Sequence, residues 1–124
     1  MFGIREDSVV LLLVPMGIAQ AGNHLMGGLR KLKAFTIPTG LGTDWQFVIE
    51  LSRTFKITHF ITTPATAVNF TEEVLKKFNP RKDFNLKGIA TFSAPLTKVV
   101  REYLQEIWGC EVFDGMGVTE IGAL

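Results

Sequence analysis

Asp114-Gly115-Met116-Gly117-Val118-Thr119-Glu120 sets two carboxylates and a hydroxyl in a glycine-rich turn directly after a short, largely apolar strand signal. Carboxylate oxygens suit a divalent metal, a hydroxyl suits a phosphate, and glycines let the backbone pass close to a ligand. The turn therefore reads as a nucleotide and metal site. It stands at the end of a 124-residue chain, so the complete site is expected to use more protein than these residues, and the chain to be a fragment of an enzyme.

A second group of glycines, prolines and hydroxyls falls at regular intervals upstream, around Pro15 to Gly17, Pro38 to Gly42, Thr62 to Pro64 and Ser93 to Pro95. Each follows an apolar run. Val9 to Val14 is continuously apolar and stops at Pro15, which suits a strand buried on both faces; residues 34–37, 57–61, 89–92 and 111–114 read as four more short strands. Between them, residues 18–33 carry Leu25, Met26, Leu29 and Leu32 at helical spacing, with Gly22, Gly27 and Gly28 as weak points. Thr43 with Gln46 forms a capping-box pattern before Val48, Leu51, Ser52 and Phe55. Thr63 before Pro64 opens a helix that is expected to run until Asn79-Pro80, residues 81–87 read as a polar connection, and residues 97–108 form a helix ended by Gly109.

Strands alternating with helices predict an α/β fold, a doubly wound, Rossmann-like, mostly parallel sheet of about five strands with helices on both faces. The whole of 1–124 is one such unit, without repeat or linker. In open sheets of this class ligands bind at the carboxyl ends of the strands, which is where all five special loops fall. The fold alone does not choose a chemistry.

Composition narrows the class. Thirteen basic against twelve acidic residues, with the cations spread over separate helices, give no nucleic-acid surface. The apolar run before Pro15 is too short to span a bilayer, and Glu6-Asp7 before it is unlike a signal peptide. The single cysteine, Cys110, excludes an internal disulfide and agrees with a reducing compartment, so the expected location is the cytoplasm. His24 and His59 have no second ligand or carboxylate partner at usable spacing and read as structural; Cys110 reads as a packing residue rather than a nucleophile.

Taken together, the loops resemble a known family. The stretch from Asp114 to Glu120 is similar to the tyrosine-glycine-x-threonine-glutamate motif of adenylate-forming enzymes, the acyl-CoA synthetase superfamily, and Ser93-Ala94-Pro95-Leu96 resembles its preceding glycine-alanine-proline loop. Pro15-Met16-Gly17-Ile18, the glycine-rich segment after it, Ile37 to Gly42 and Thr63-Pro64 resemble the phenylacetate-CoA ligase branch, so the similarity covers the whole chain.

The resemblance implies ATP, Mg²⁺ and coenzyme A as reactants or cofactors, and a small carboxylic acid, aryl or arylacetic, as substrate. Glu120 would help hold Mg²⁺ on the ATP phosphates and Thr119 would bond the α-phosphate, the two forming the catalytic pair. Ser93, Ala94, Pro95, Asp114, Gly115, Met116, Gly117 and Thr119 would bind nucleotide, with Asp114 on the adenine amino group. Pro15, Met16, Gly17, Ile18 and Gly22 would line the acyl side. Met116 stands where the family usually has tyrosine. The family's upstream phosphate loop, downstream ribose-binding aspartate and C-terminal lysine domain have no counterpart in these residues, which implies that the isolated chain is inactive and that its partner is the remainder of a ligase polypeptide.

Two other readings stay open at this stage. The ten phenylalanines and two tryptophans of this chain include enough apolar surface for a non-catalytic module that self-associates or binds a partner. A free-standing nucleotide-binding protein is the other, although there is no G-x-G-x-x-G turn after the first strand and no Walker-type loop.

Overall fold

Short apolar runs become strands and the capping signals after them become helices. A computed structural model describes residues 4–13, 30–31, 33–38, 44–91 and 95–114. Its elements follow as β1 (Val9–Leu12), β2 (Phe35–Pro38), α1 (Trp45–Thr54), β3 (His59–Thr62), α2 (Pro64–Leu75), α3 (Pro80–Asp83), β4 (Gly88–Thr91), α4 (Lys98–Trp108) and β5 (Glu111–Asp114). The five strands form one sheet in the order β2-β1-β3-β4-β5, with every pair parallel. The expected α/β architecture is present. The helix expected over 18–33 is described only at Arg30 and Lys31, both helical; the rest of it lies outside the described residues.

This strand order places a site before any residue is considered. The chain leaves β1 toward β2 on one side, then returns past β1 to β3 and continues outward to β5. The reversal falls between the carboxyl ends of β1 and β3, the switch point where open α/β sheets take ligands.

Register builds the core. Leu11, Phe60, Ile89 and Val112 stand in one row across four strands and join Val48 and Ile49 of α1, Ala67, Phe70 and Val74 of α2, and Leu104 and Trp108 of α4 in a single cluster. On the opposite face Val10, Leu12 and Ile61 are 0 % exposed, so both faces of the sheet are dry, as a parallel sheet requires. Aromatic rings knit the helical layer. Phe70 lies 4.6 Å from Phe60 and stacks on Trp108 at 5.8 Å and 6°, while Phe84 meets Trp108 edge-on at 5.4 Å. The Trp108 indole N–H donates to Thr71 Oγ1 at 2.8 Å, and that hydroxyl donates to Ala67 O at 2.8 Å.

Three helix boundaries differ from the sequence reading. Asp44, not Thr43, caps α1, its carboxylate accepting from Gln46 N–H at 3.4 Å; two adjacent residues could both cap, and the chain uses the second. Helix α2 ends at Leu75 rather than at Asn79, and Asn79 instead caps the short turn α3 within the expected polar connection. Proline at the first position of α3 and the Asn79 side chain accepting from Arg81 N–H at 3.1 Å account for that turn. Thr63 caps α2 as expected and Thr97, read as the first residue of the last helix, caps α4, the two accepting from Thr66 N–H and Val100 N–H at 3.3 and 3.2 Å.

Two glycines are required by geometry. Gly109 ends α4 at φ 64°, and Arg81 closes over it, its guanidinium donating twice to Glu106 O at 2.6 and 3.1 Å. Gly88 pairs with His59 across the sheet, and a Cβ there would meet His59 Cδ2 at 2.9 Å and Phe113 Cε2 at 3.4 Å. Gly88→Ala is expected to destabilise the chain by about 1–3 kcal/mol through overpacking, read from the denaturation midpoint; an unchanged midpoint would contradict that packing.

Candidate functional site at the carboxyl edge of the sheet

The last residues of the five strands are Leu12, Pro38, Thr62, Thr91 and Asp114, so Asp114 is the one ionisable side chain at the strand ends. Thr62, Thr91 and Asp114 stand side by side in register across β3, β4 and β5. The first two are spent on structure. Thr62 Oγ1 donates to Leu13 O at 2.7 Å and Thr91 Oγ1 to Phe113 O at 3.3 Å, each satisfying a carbonyl of the neighbouring strand's end, and both threonines are fully buried. Asp114 is half-buried. The row is thus a rigid, internally bonded rim whose available acid is Asp114.

Topology adds charge of the opposite sign. Because every strand is parallel and each of β2, β3 and β4 feeds a helix, α1, α2 and α4 all begin at this edge, with caps at Asp44, Thr63 and Thr97. Helix N-termini carry partial positive charge and unpaired N–H groups, an environment that favours phosphate. A carboxylate beside such termini combines an acceptor for a base or metal with donors for an anion.

The site residues expected from the sequence divide unevenly. Pro95 is exposed in the connection between β4 and α4, and Asp114 ends the neighbouring strand β5, so both belong to the carboxyl edge of adjacent strands. Pro15, Met16, Gly17, Ile18, Gly22, Ser93, Ala94, Gly115, Met116, Gly117, Thr119 and Glu120 lie outside the described residues. The chain enters those segments from the ends of β1, β4 and β5, all on the same edge. Thr62 heads a group that the sequence already placed at this edge, whereas Thr91 was missed as a rim residue, although a threonine closing a buried strand was a visible signal.

A groove of about 480 Å³ between α1 and the end of α2, lined by Gln46, Glu50, Arg53, Glu73, Lys77 and Phe78 among others, includes no strand end. Its position separates it from the edge that the topology favours. Among the described residues no three His, Cys, Asp or Glu side chains gather into a metal cluster, and no helix is long and apolar enough to cross a membrane.

His59 and Cys110 behave as packing residues. His59 sits at the start of β3, opposite the candidate edge, 4 % exposed, with Nδ1 2.9 Å from Thr58 Oγ1. Burial pushes its pKa below the ordinary 6.5, with Lys87 pushing the same way and Asp7 opposing. The unfolded chain therefore binds a proton that the folded chain resists. Stability from this residue is full above pH 6.5 and falls as pH drops through the lowered folded value. Denaturation midpoints at decreasing pH should show this acid-side loss in the native chain and a shallower one in His59→Asn; equal slopes would contradict it. Burial, then Glu111, raises the Cys110 thiol to about 12, so it is no nucleophile at neutral pH.

No family model matches the chain, and no curated protein matches it. Solved structures do. 2-Hydroxyisobutyryl-CoA ligase, in the postadenylation state with 2-HIB-AMP, superposes with a TM-score of 0.87 at 25 % identity over 98 % of this chain and 26 % of the ligase. A benzoate CoA ligase from Burkholderia xenovorans LB400 gives 0.73 at 22 % over 97 % of this chain and 24 % of its own. The N-terminal domain of FACL13 from Mycobacterium tuberculosis gives 0.77 at 16 %, over 97 % of this chain and 29 % of that domain structure. The first two of these neighbours are CoA ligases, and the two below 25 % identity establish the fold alone. The chain spans about a quarter of the length of the ligases it matches.

Proposed function

We propose that this chain is a section of the N-terminal adenylation domain of an ATP-dependent acyl-CoA ligase, carrying acyl-pocket strands and half of the nucleotide site. The similarity to a ligase holding 2-HIB-AMP, over nearly the whole chain, carries the reading. The phenylacetate-type motifs at Pro15 to Ile18 and Ile37 to Gly42 favour an aryl or arylacetic acid as substrate, and the likeness to a benzoate ligase is compatible with that. A cytoplasmic enzyme fits the single cysteine.

In the proposed reaction a substrate carboxylate oxygen attacks the α-phosphorus of ATP, pyrophosphate leaves, and the acyl group then passes to the thiol of coenzyme A with AMP as the leaving group. Catalysis of this kind is mostly positioning and charge neutralisation. Asp114 accepts from the adenine amino group and fixes the base at the β5 end. Ser93, Ala94 and Pro95 wall the adenine; Gly115, Met116 and Gly117 carry the backbone along the nucleotide; Thr119 donates to the α-phosphate. The residues Pro15, Met16, Gly17, Ile18 and Gly22 face the acid.

A hard carboxylate donor fits Mg²⁺, and Glu120 is the residue that would hold it. Bound there, the ion supplies neutralisation of phosphate charge. The partial positive ends of α1, α2 and α4 on the same edge act in the same sense.

The experiment is carboxylate-dependent ATP–pyrophosphate exchange in the full-length ligase polypeptide, with phenylacetate, benzoate and 2-hydroxyisobutyrate as acids. Exchange with an aryl acid supports the reading; exchange with none of them counts against it. The 124-residue chain alone is expected to give no exchange above background, and robust exchange from it would contradict its assignment as part of a site.

A further inference from the structure

The ends of β1 and β5 hand the chain to the two segments expected to hold the acid and the nucleotide, and each end is tied by a threonine of the strand beside it. Leu13 N–H donates to Ile61 O at 2.9 Å, and Leu13 O accepts from Thr62 Oγ1 at 2.7 Å. Phe113 O accepts from Thr91 Oγ1 at 3.3 Å. A peptide unit is planar, so holding the carbonyl of Leu13 fixes the direction in which the chain leaves for Pro15, and holding that of Phe113 fixes where Asp114 starts.

Two other buried hydroxyls stay local. Ser52 Oγ donates to Val48 O and Thr71 Oγ1 to Ala67 O, each four residues back on its own helix. Thr62 and Thr91 instead bridge positions 49 and 22 residues apart, and they stand in register with each other at the carboxyl edge. Both are 0 % exposed, so neither hydroxyl touches a ligand, and whatever it contributes to a site passes through the carbonyl it holds.

We propose that Thr62 and Thr91 are separate positioning residues for the two halves of the adenylation site: Thr62 sets the acid-binding segment from Pro15 to Ile18 through Leu13 O, and Thr91 sets Asp114 against adenine through Phe113 O. The inference rests on the adenylation reading. Each hydroxyl acts on one strand end, so losing it disturbs one substrate and spares the other. Valine keeps the volume of threonine but puts a methyl group against the carbonyl, alanine removes the hydroxyl without that crowding, and serine keeps the hydroxyl.

The test is carboxylate-dependent pyrophosphate exchange in the longer polypeptide that the adenylation reading requires, with phenylacetate, benzoate or 2-hydroxyisobutyrate as the acid and the half-saturating concentrations of ATP and acid measured separately. Thr91→Ala and Thr91→Val are expected to raise the value for ATP about tenfold and to leave that for the acid within about twofold, and Thr62→Ala and Thr62→Val to do the reverse. Thr62→Ser and Thr91→Ser should keep both values native. Thr71→Val, a buried hydroxyl lost from α2, should lower the denaturation midpoint and move neither value. Equal shifts for both substrates, no shift in either, serine variants that behave like alanine, or loss of folding in both the alanine and valine variants of either threonine overturns the proposal and leaves the hydroxyls to the fold. Native exchange without the crossed pattern sinks the positioning inference alone; exchange with none of the three acids sinks the adenylation reading and this inference with it.

Discussion

Replacing Trp108 with alanine is expected to cost the fold about 3–5 kcal/mol, the range for deleting a large aromatic from a core. Trp108 is 4 % exposed and joins three elements at once: it stacks on Phe70 of α2, takes the edge of Phe84 after α3, and donates its indole N–H to Thr71. Its removal opens a cavity and also strands a hydroxyl network. The companion Thr71→Val keeps the volume but leaves the buried indole N–H without its acceptor, at an expected cost of about 1–3 kcal/mol. Chemical denaturation of both variants checks the pair. A loss below that of Thr71→Val for Trp108→Ala would show that the stacked layer contributes little.

On the proposed adenylation reading, Glu120→Ala in the longer polypeptide that reading requires is the corresponding change in chemistry, with an expected fall in carboxylate-dependent pyrophosphate exchange of about 10²–10³-fold, or roughly 3–4 kcal/mol in the barrier. The proposed role of Glu120 is to hold Mg²⁺ on the phosphates, so Glu120→Gln, which keeps shape but loses charge, should demand higher Mg²⁺ for half-maximal rate. Thermal stability should stay unchanged in both variants. Full activity at ordinary Mg²⁺ in Glu120→Ala would remove this residue from the site.

The fold was largely legible because its signals are local. Val9 to Leu13 is uninterrupted and apolar, Thr63-Pro64 announces a helix start, and Gly109 announces a helix end. Parallel pairing then follows from the alternation of such pieces. Ambiguity entered where two neighbouring residues could do the same job, as with Thr43 and Asp44, and where a helix could stop early without a breaker, as α2 does at Leu75.

What the sequence could not show is tertiary partnership. Nothing in the spacing of Thr71 and Trp108 predicts their 2.8 Å hydrogen bond, and nothing around Gly88 reveals the His59 ring against it. The candidate site shows the same split. The strand ends were legible from where the glycines and prolines fall, with Asp114 closing β5 and Pro95 in the connection after β4. That Thr62 and Thr91 spend their hydroxyls on neighbouring carbonyls, leaving Asp114 as the acid of the rim, depends on strand register and emerges only in three dimensions.

The most direct test of the adenylation reading is calorimetric titration of the 124-residue chain with AMP and GMP, in the native form and as Asp114→Ala. The reading predicts weak, saturable, one-to-one binding of AMP in preference to GMP, whose O6 is an acceptor where adenine has a donor, and a loss of at least about tenfold in Asp114→Ala. No saturable heat with AMP, or equal heats with both nucleotides that survive Asp114→Ala, would contradict it.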